Sequence, residues 1–346
     1  AAKEAGRPTR ADTWMVAAAN PLAVEAGAAV LRTGGTAADA MVAVQAVLGL
    51  VEPQSSGLGG GAFLVWYDAT SGKVTTLDGR ETAPLAVTPT LFQTDDGEPM
   101  GFWDAVVGGR SVGTPGTPML MEEAHARWGR AEWGGLFQAA ISLAEEGFTV
   151  SERMASSIAG GAERLQTFKA TADYFFPGGN ALQAGDTLVN ADYAKTLRLI
   201  AAHGSDVFYS GSIADDIVAT VRTAAGTPGV LSKMDLAIYT VIEREPVCVV
   251  YRTSEVCGMG PPSSGALTVG QILGMLEHYD LAAMGPESAE AWRLIGDASR
   301  LAFADRGRYM ADSDFVPMPT EGLTSEDYLE TRAALLSSDK ALSEAS

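Results

Sequence analysis

The sequence has 346 residues, of which 47% are hydrophobic and 19% charged, and this composition is typical of a globular protein and excludes a disordered one. Lys and Arg together number 24 against 43 Asp and Glu, so the formal net charge is −19. Because so negative a chain is repelled by phosphate backbones and by anionic membrane surfaces, we predict that it binds no nucleic acid.

A membrane-spanning segment is also not predicted. The longest uncharged apolar run, Met41 to Val51, has eleven residues, whereas a helix needs about 18 to cross a bilayer. The sequence starts at Ala1 without an initiating Met and without an apolar signal stretch, so this end is either a chosen boundary of the sequence or the product of processing, and export followed by signal removal fits it. We therefore expect a periplasmic or secreted location.

Two helices with marked ends are predicted near the N-terminus. Asn20 is a good N-cap and Pro21 suits the first helical position, and the apolar pattern runs to Leu31 before Gly34-Gly35. Thr36 begins a second helix over residues 37–50, in which apolar residues recur at helical spacing. The short connection predicts that the two helices pack as a hairpin.

A glycine-rich segment, Ser55–Gly61, separates the second helix from two strand-like stretches at residues 62–67 and 73–77. Its letters fit the dinucleotide fingerprint, but that fingerprint requires a strand before the glycines and a helix after them. Here the order is helix, glycines, strand. We therefore predict no cofactor, and expect a loop whose glycines adopt positive φ or let backbones pack closely.

The rest of the chain alternates between helical and extended patterns. Helices dominate from about residue 116 to 226, strand character returns from 241 to 259, and two more helices are predicted between 265 and 308. No segment is typical of an interdomain linker, so we expect residues 1–346 to form a single domain. The histidines, at 125, 203 and 278, lie outside metal-ligand spacing, and no metal site is predicted.

Arg80 follows the second strand-like stretch and is flanked by Asp78 and Glu81. Local sequence allows two interpretations. Arg80 either forms a structural ion pair with one of these carboxylates, or it presents its guanidinium fork to the carboxylate of a substrate. The local sequence does not decide between them.

Cys248 and Cys257 are the cysteines of this sequence. If Arg252-Thr253 is a two-residue turn, the two cysteines face each other as a non-hydrogen-bonded pair, with Cα atoms about 4.5 Å apart. This spacing permits a disulfide. Two free buried thiols are nearly as compatible with the pattern, and both alternatives stay open.

Several segments, taken in order, resemble the gamma-glutamyltransferase family, and the similarity covers almost the whole chain. They are Asn20–Gly27, Gly34–Ala40, Glu52–Gly61, Arg80–Pro84, Gly113–Thr117, Pro261–Gly265, Ala304–Arg306 and Asp314–Val316. One departure from the family pattern is Gly79, which stands where a bulky residue is common. We expect this glycine to widen the pocket beside Arg80.

The resemblance implies an α+β fold, the αββα sandwich of the N-terminal-nucleophile hydrolases, of which this chain supplies the large-subunit part. Family precursors cleave themselves, and a Thr at the new N-terminus of the small subunit is the nucleophile. The resemblance thus implies no catalytic nucleophile in this chain and a small subunit from the same precursor as its partner.

By its place in the family motif, Arg80 is expected to bind the α-carboxylate of the γ-glutamyl group, and Glu81 to orient Arg80. The segments at 261–265 and 304–306 are interpreted as structural. The implied reaction is cleavage of the γ-amide bond of glutathione and related compounds through an acyl-enzyme, with transfer to water or to an amine. A glutaryl or cephalosporin acylase of the same fold, and a non-catalytic binding protein on this scaffold, are the alternatives.

Overall fold

The computed structural model describes Gly6, residues 8–338 and residues 340–345. The chain divides into two compact units. Unit 1 comprises the chain up to Ala62 together with Gly79–Val241, and unit 2 comprises Phe63–Asp78 and the chain from Ile242 onward. The expectation of a single domain over residues 1–346 stays a prediction.

Helices make up most of the regular structure. They are α1 (Pro21–Arg32), α2 (Ala37–Val51), α3 (Phe102–Val106), α4 (Thr117–Trp128), α5 (Gln138–Glu146), α6 (Glu152–Gly160), α7 (Ala162–Leu165), α8 (Lys169–Phe175), α9 (Ala191–His203), α10 (Asp206–Tyr209), α11 (Gly211–Arg222), α12 (Lys233–Ala237), α13 (Gly265–Leu276), α14 (Leu281–Met284), α15 (Ala289–Tyr309), α16 (Thr320–Leu323) and α17 (Glu326–Ala334). The strands are β1 (Ala62–Asp68), β2 (Lys73–Gly79), β3 (Phe148–Thr149), β4 (Thr187–Leu188), β5 (Ile242–Arg244), β6 (Val247–Tyr251) and β7 (Ser254–Gly258).

The predicted helical hairpin of unit 1 is confirmed, because α1 and α2 end within two residues of their predicted limits and pack against each other. The Asn20 side chain accepts a hydrogen bond from Leu22 N at 3.0 Å, so the first helix begins where its cap predicts. Thr36 and Asp39 form a reciprocal capping box at the start of α2. Both helices therefore begin at locally encoded signals.

Asp39 also connects this hairpin to a distant segment. Its buried carboxylate accepts hydrogen bonds from the backbone of Arg130 and Ala131, at 3.0 to 3.1 Å. Burial alone raises the pKa of a carboxyl, but the hydrogen bonds from the backbone of Thr36, Ala131 and Arg130 outweigh it, and the pKa of Asp39 lies below its usual value. Asp39 is thus held ionised in the unit 1 core.

That core is apolar and lies mainly between α2, the α4–α5 region and α9. Its fully buried side chains include Leu50, Met121, Phe137, Leu197 and Ile200. The strands of unit 1, β3 and β4, form a short antiparallel pair. Helices therefore supply most of the packing surface of this core.

Unit 2 contains a three-stranded sheet in the order β1-β2-β5, in which β2 and β5 run antiparallel with Leu77 opposite Glu243. Arg244 connects this sheet to the segment after α15. Its Nε donates to Asp78 Oδ2 at 2.7 Å, and its two terminal nitrogens donate to the carboxylate of Asp314 at 2.8 and 2.7 Å. The two carboxylates raise the pKa of Arg244, which stays charged.

The β6–β7 hairpin turns at Arg252-Thr253, and Cys248 lies opposite Cys257 as predicted. The two sulfurs are bonded at 2.06 Å, and the Cα atoms are 4.1 Å apart. Of the two open alternatives, the structure contains the disulfide. Its oxidation state in the cell stays a prediction.

A second apolar core lies between α13, α15 and α17 of unit 2 and includes Met275, Leu294 and Leu336.

The prediction of two helices between 265 and 308 is incomplete, because the short helix α14 lies between them. Asp280 begins α14 by accepting from Ala283 N at 3.0 Å, and Gly285 ends it at φ +77°. In the part of the chain that the structure describes, no helix combines the length and the apolar character needed to cross a bilayer.

Candidate substrate-binding site

Arg80 lies at the first position after β2, and its side chain is exposed at a cleft of about 490 Å³. We call it the arginine cleft. It is lined by Gly59, Arg80, Glu81, Thr82, Ala83, Pro84, Val87, Leu91, Phe92, Arg110, Ser111, Val112 and Gly113. A guanidinium, an apolar wall and backbone groups thus face one space, an arrangement typical of a small-molecule site.

The backbone of Arg80 is fixed from two sides. The buried hydroxyl of Tyr239 donates to the carbonyl oxygen of Arg80 at 2.8 Å. On the other side lies Gly61, where a Cβ atom would stand 2.8 Å from the Cα of Arg80. Only glycine permits this approach, so Arg80 starts from a closely packed backbone although its side chain is exposed.

The start of α4 holds the same region together. The carbonyl of Gly60 accepts from Gly116 N at 2.9 Å, and from the backbone and hydroxyl of Thr117 at 3.1 Å each. A Cβ atom on Gly116 would lie 2.0 Å from both the Gly79 carbonyl oxygen and the Tyr239 hydroxyl. The glycine loop, the arginine segment and the N-terminus of α4 therefore form one tightly packed layer.

This geometry decides between the two explanations offered for the glycine loop. None of Gly57, Gly59, Gly60 and Gly61 has positive φ, so the positive-φ explanation is wrong for these residues. Close packing is the reason at Gly61. The helix–loop–strand order is confirmed, with the loop between α2 and β1.

Glu81 lies between the arginine cleft and a second cleft of about 620 Å³ along the glycine loop, which also includes Gln45, Gln54 and Ser56. One oxygen of its carboxylate lies 2.7 Å from where a Cβ of Gly61 would be. The carboxylate is thus held beside the glycine backbone. Its expected role in orienting Arg80 stays a prediction.

Gly79 does not widen either cleft. It is buried, and it is absent from the described residues that line the two clefts. A Cβ atom at this position would stand 2.7 Å from the Cβ of Leu120. The missing side chain makes room for α4, so the expectation about the pocket was wrong.

The two motifs interpreted as structural contact each other within unit 2. Arg306 Nε donates to the hydroxyl of Ser264 at 2.9 Å, next to the cis Pro261-Pro262 peptide. The neighbouring Asp305 is buried, lies 3.0 Å from Arg332 and accepts a hydrogen bond from Gln271 at 2.8 Å. These contacts all lie within unit 2, and the structural interpretation of the two motifs stays a prediction.

Among the described residues, Cys248, Glu255 and Cys257 form a group of three side chains of the types that bind metal ions. The chemistry of this group does not suit a metal. Its two sulfurs are bonded to each other, and a disulfide sulfur is not the thiolate that metals prefer. His125 instead contacts the Ala131 carbonyl oxygen at 3.0 Å.

Sequence reasoning missed Tyr239 and Arg110, which the fold brings to Arg80 from 159 and 30 residues away. No local pattern marks Tyr239. Arg110 stands three residues before the Gly113–Thr117 motif, and that proximity was a usable signal.

Comparisons with known proteins agree with this architecture. The family model described as gamma-glutamyltranspeptidase matches residues 23–346. The glutathione hydrolase proenzyme of Bacillus subtilis (strain 168) is 38% identical over 326 residues, which cover 94% of this chain and 55% of the relative. The acylase ACY 1 proenzyme of Pseudomonas sp. (strain SE83) is 36% identical over 342 residues, 97% of this chain and 61% of the relative.

Among solved structures, gamma-glutamyltranspeptidase of Helicobacter pylori matches with a TM-score of 0.92 at 34% identity, covering 97% of this chain and 95% of that one. This likeness confirms the predicted fold class, that of the N-terminal-nucleophile hydrolases. The chain belongs to the gamma-glutamyltranspeptidase family. It spans about half the length of the curated relatives it matches.

Proposed function

We propose that this chain is the large subunit of a gamma-glutamyltransferase that cleaves the γ-amide bond of glutathione and other γ-glutamyl compounds. The observation that carries the proposal is Arg80, presented at the end of β2 into a cleft of a chain in this family. The relative from Bacillus subtilis is named a glutathione hydrolase, and its proenzyme is nearly twice as long as the matched region.

Arg80 would bind the α-carboxylate of the γ-glutamyl group. A guanidinium donates two parallel N–H···O bonds to a carboxylate, and hydrogen bonds to charged groups contribute about 1.5–3 kcal/mol each. The packed backbone at Gly61 and Tyr239 supports this role, because it sets the point from which the side chain reaches into the cleft.

The nucleophile would come from a second subunit cut from the same precursor. Its threonine hydroxyl attacks the γ-carbonyl carbon, an ester forms, the C–N bond breaks, and the leaving amine takes the proton. Water or an acceptor amine then releases the glutamyl group. The sheet of unit 2 leaves Val65, Tyr67 and Ile242 exposed, and such apolar side chains suit coverage by a further polypeptide. No cofactor is required.

The test is steady-state kinetics on a γ-glutamyl anilide with the complete enzyme produced from its precursor. Lys at position 80 keeps the charge but loses the fork, so Arg80→Lys is expected to raise KM about tenfold or more, and Arg80→Ala further. Self-cleavage of the precursor and the thermal melt are expected to stay close to those of the wild type.

Arg198→Lys is the matched control. Arg198 donates both terminal nitrogens to the exposed carboxylate of Glu145 on the surface of unit 1, so the same substitution removes a fork outside the cleft. It is expected to leave KM unchanged. An unaltered KM in Arg80→Ala would remove Arg80 from the site, and loss of stability in its place would assign it to a structural ion pair.

An acylase acting on glutaryl amides is the second candidate, favoured by the similarity to the Pseudomonas acylase proenzyme. A glutaryl group keeps the distal carboxylate that Arg80 would bind and lacks only the α-amine. Turnover of matched γ-glutamyl and glutaryl anilides by the wild-type enzyme separates the two. Absence of turnover of either would favour a non-catalytic binding protein.

We also propose a periplasmic or secreted location. The Cys248–Cys257 disulfide supports it, because such bonds persist in oxidising compartments and are rare in the cytosol. Recovery of the protein in the periplasmic or extracellular fraction of its source cells tests this location.

A further inference from the structure

A second arginine lines the arginine cleft. Arg110 is half-buried, and its backbone is firmly held by a segment between α11 and α12. The backbone nitrogens of Gly109 and Arg110 donate to the carbonyl oxygen of Thr227 at 2.9 and 3.1 Å. A Cβ atom on Gly229 would lie 2.0 Å from the Gly109 carbonyl oxygen, so the two segments are in direct backbone contact. The backbone position from which the Arg110 side chain extends is therefore fixed.

The side chain of Arg110 has a neutral neighbour. Its Nη1 lies 2.6 Å from the sulfur of Met100, and among the described residues no ion pair involves Arg110. A thioether is a weak acceptor and does not offset a positive charge. This half-buried guanidinium is thus available to pair with an anionic group of a ligand that enters the cleft.

The cleft that both arginines line has room for a ligand longer than a glutamyl group. The cleft of about 490 Å³ is within the range of sites that hold drug-sized molecules. Its wall of Val87, Leu91 and Phe92 is apolar. The carboxylate of Glu81 also lines the cleft, but it lies beside Gly61, towards the glycine loop.

We propose that Arg110 is a specificity-determining residue that binds a second carboxylate of the acyl donor, the one carried by the leaving group. This inference rests on the proposed function, in which Arg80 takes the α-carboxylate. The part of the donor beyond the scissile γ-amide is the leaving group, and we assign the second cation of the cleft to the carboxylate of that part. The preferred donors are then γ-glutamyl peptides with a free C-terminal carboxylate.

The experiment compares a γ-glutamyl dipeptide with its C-terminal amide, two donors that differ in one negative charge. The complete wild-type enzyme is expected to show a KM about tenfold higher for the amide than for the acid. In Arg110→Gln this ratio is expected to approach one. In Arg110→Lys, which keeps the charge without the fork, it is expected to be intermediate.

Arg80→Lys is the comparison variant, in which both KM values are expected to rise while their ratio stays that of the wild type. A wild-type ratio near one, or an unchanged ratio in Arg110→Gln, overturns the proposal. Equal increases in both KM values in Arg110→Gln also overturn it, since Arg110 would then share the α-carboxylate with Arg80. A wild-type enzyme that cleaves neither donor refutes the proposed function itself, and the role of Arg110 with it.

Discussion

Removal of the Tyr239 hydroxyl tests whether the position of the Arg80 backbone determines the affinity for the substrate. Tyr239→Phe deletes the hydroxyl that donates to the Arg80 carbonyl at 2.8 Å and keeps the buried ring. A neutral hydrogen bond contributes about 0.5–1.5 kcal/mol, and a buried acceptor left without its donor costs about 1–3 kcal/mol. We therefore expect Tyr239→Phe to lower the free energy of unfolding by about 1–3 kcal/mol.

An effect on substrate binding is expected in addition to this loss of stability. The carbonyl belongs to the residue whose side chain would hold the α-carboxylate, and a misplacement of about 1 Å in such a group costs up to about a hundredfold. A partial relaxation of the Arg80 backbone predicts a KM increase of about three- to tenfold for a γ-glutamyl anilide. The value of kcat is expected to change less.

Tyr209→Phe is the matched control. Tyr209 is also buried, its ring is parallel to that of Tyr239 with centroids 5.7 Å apart, and its hydroxyl accepts from Met119 N at 3.3 Å. Urea unfolding and steady-state kinetics are measured on both variants. Similar losses of stability are expected, with a raised KM in Tyr239→Phe alone. Equal KM values in the two variants would refute the idea that this hydrogen bond positions Arg80.

Two further predictions concern stability. The lowered pKa of Asp39 means that its stabilising contribution is complete above about pH 5 and is lost as the pH falls below about 4. Measured by urea unfolding, Asp39→Asn is expected to cost about 1–3 kcal/mol at pH 7 and much less at pH 3. Equal costs at the two pH values would contradict this prediction. The disulfide closes a short loop, so Cys248→Ser with Cys257→Ser is expected to cost about 2–3 kcal/mol. Thiol alkylation of the unreduced, denatured protein checks the pairing, and uptake of two alkyl groups would disprove it.

Features encoded by neighbouring residues could be predicted from the sequence. The starts of α1 and α2 depend on Asn20 and Thr36, whose side chains bind backbone groups two or three residues away. The Cys248–Cys257 register depends only on a two-residue turn. In each case the atoms that determine the structure lie within ten residues of one another.

Features that depend on tertiary packing could not be predicted in the same way. The role of Gly61 is decided by Arg80, and that of Gly79 by Leu120 on α4. Both glycines were recognised as unusual, but the wrong reason was given for Gly79 because its neighbour lies 41 residues further on. The contribution of Tyr239 requires knowledge of the fold itself.

The backbone and the side chain of Arg80 lie in different surroundings. Its backbone is held by Tyr239 and by the close approach of Gly61, whereas its guanidinium is exposed at the cleft. The contacts of Tyr239 and Gly61 are made with the backbone of Arg80, and a change of the Arg80 side chain leaves them in place. Substitutions at Gly61 or Gly116 would force backbone atoms apart and act on folding as well as binding. A change of the Arg80 side chain alters the group exposed at the cleft, whereas a change at Gly61 or Gly116 also alters the packed layer that holds it, so the two kinds of substitution are expected to differ in their effect on folding.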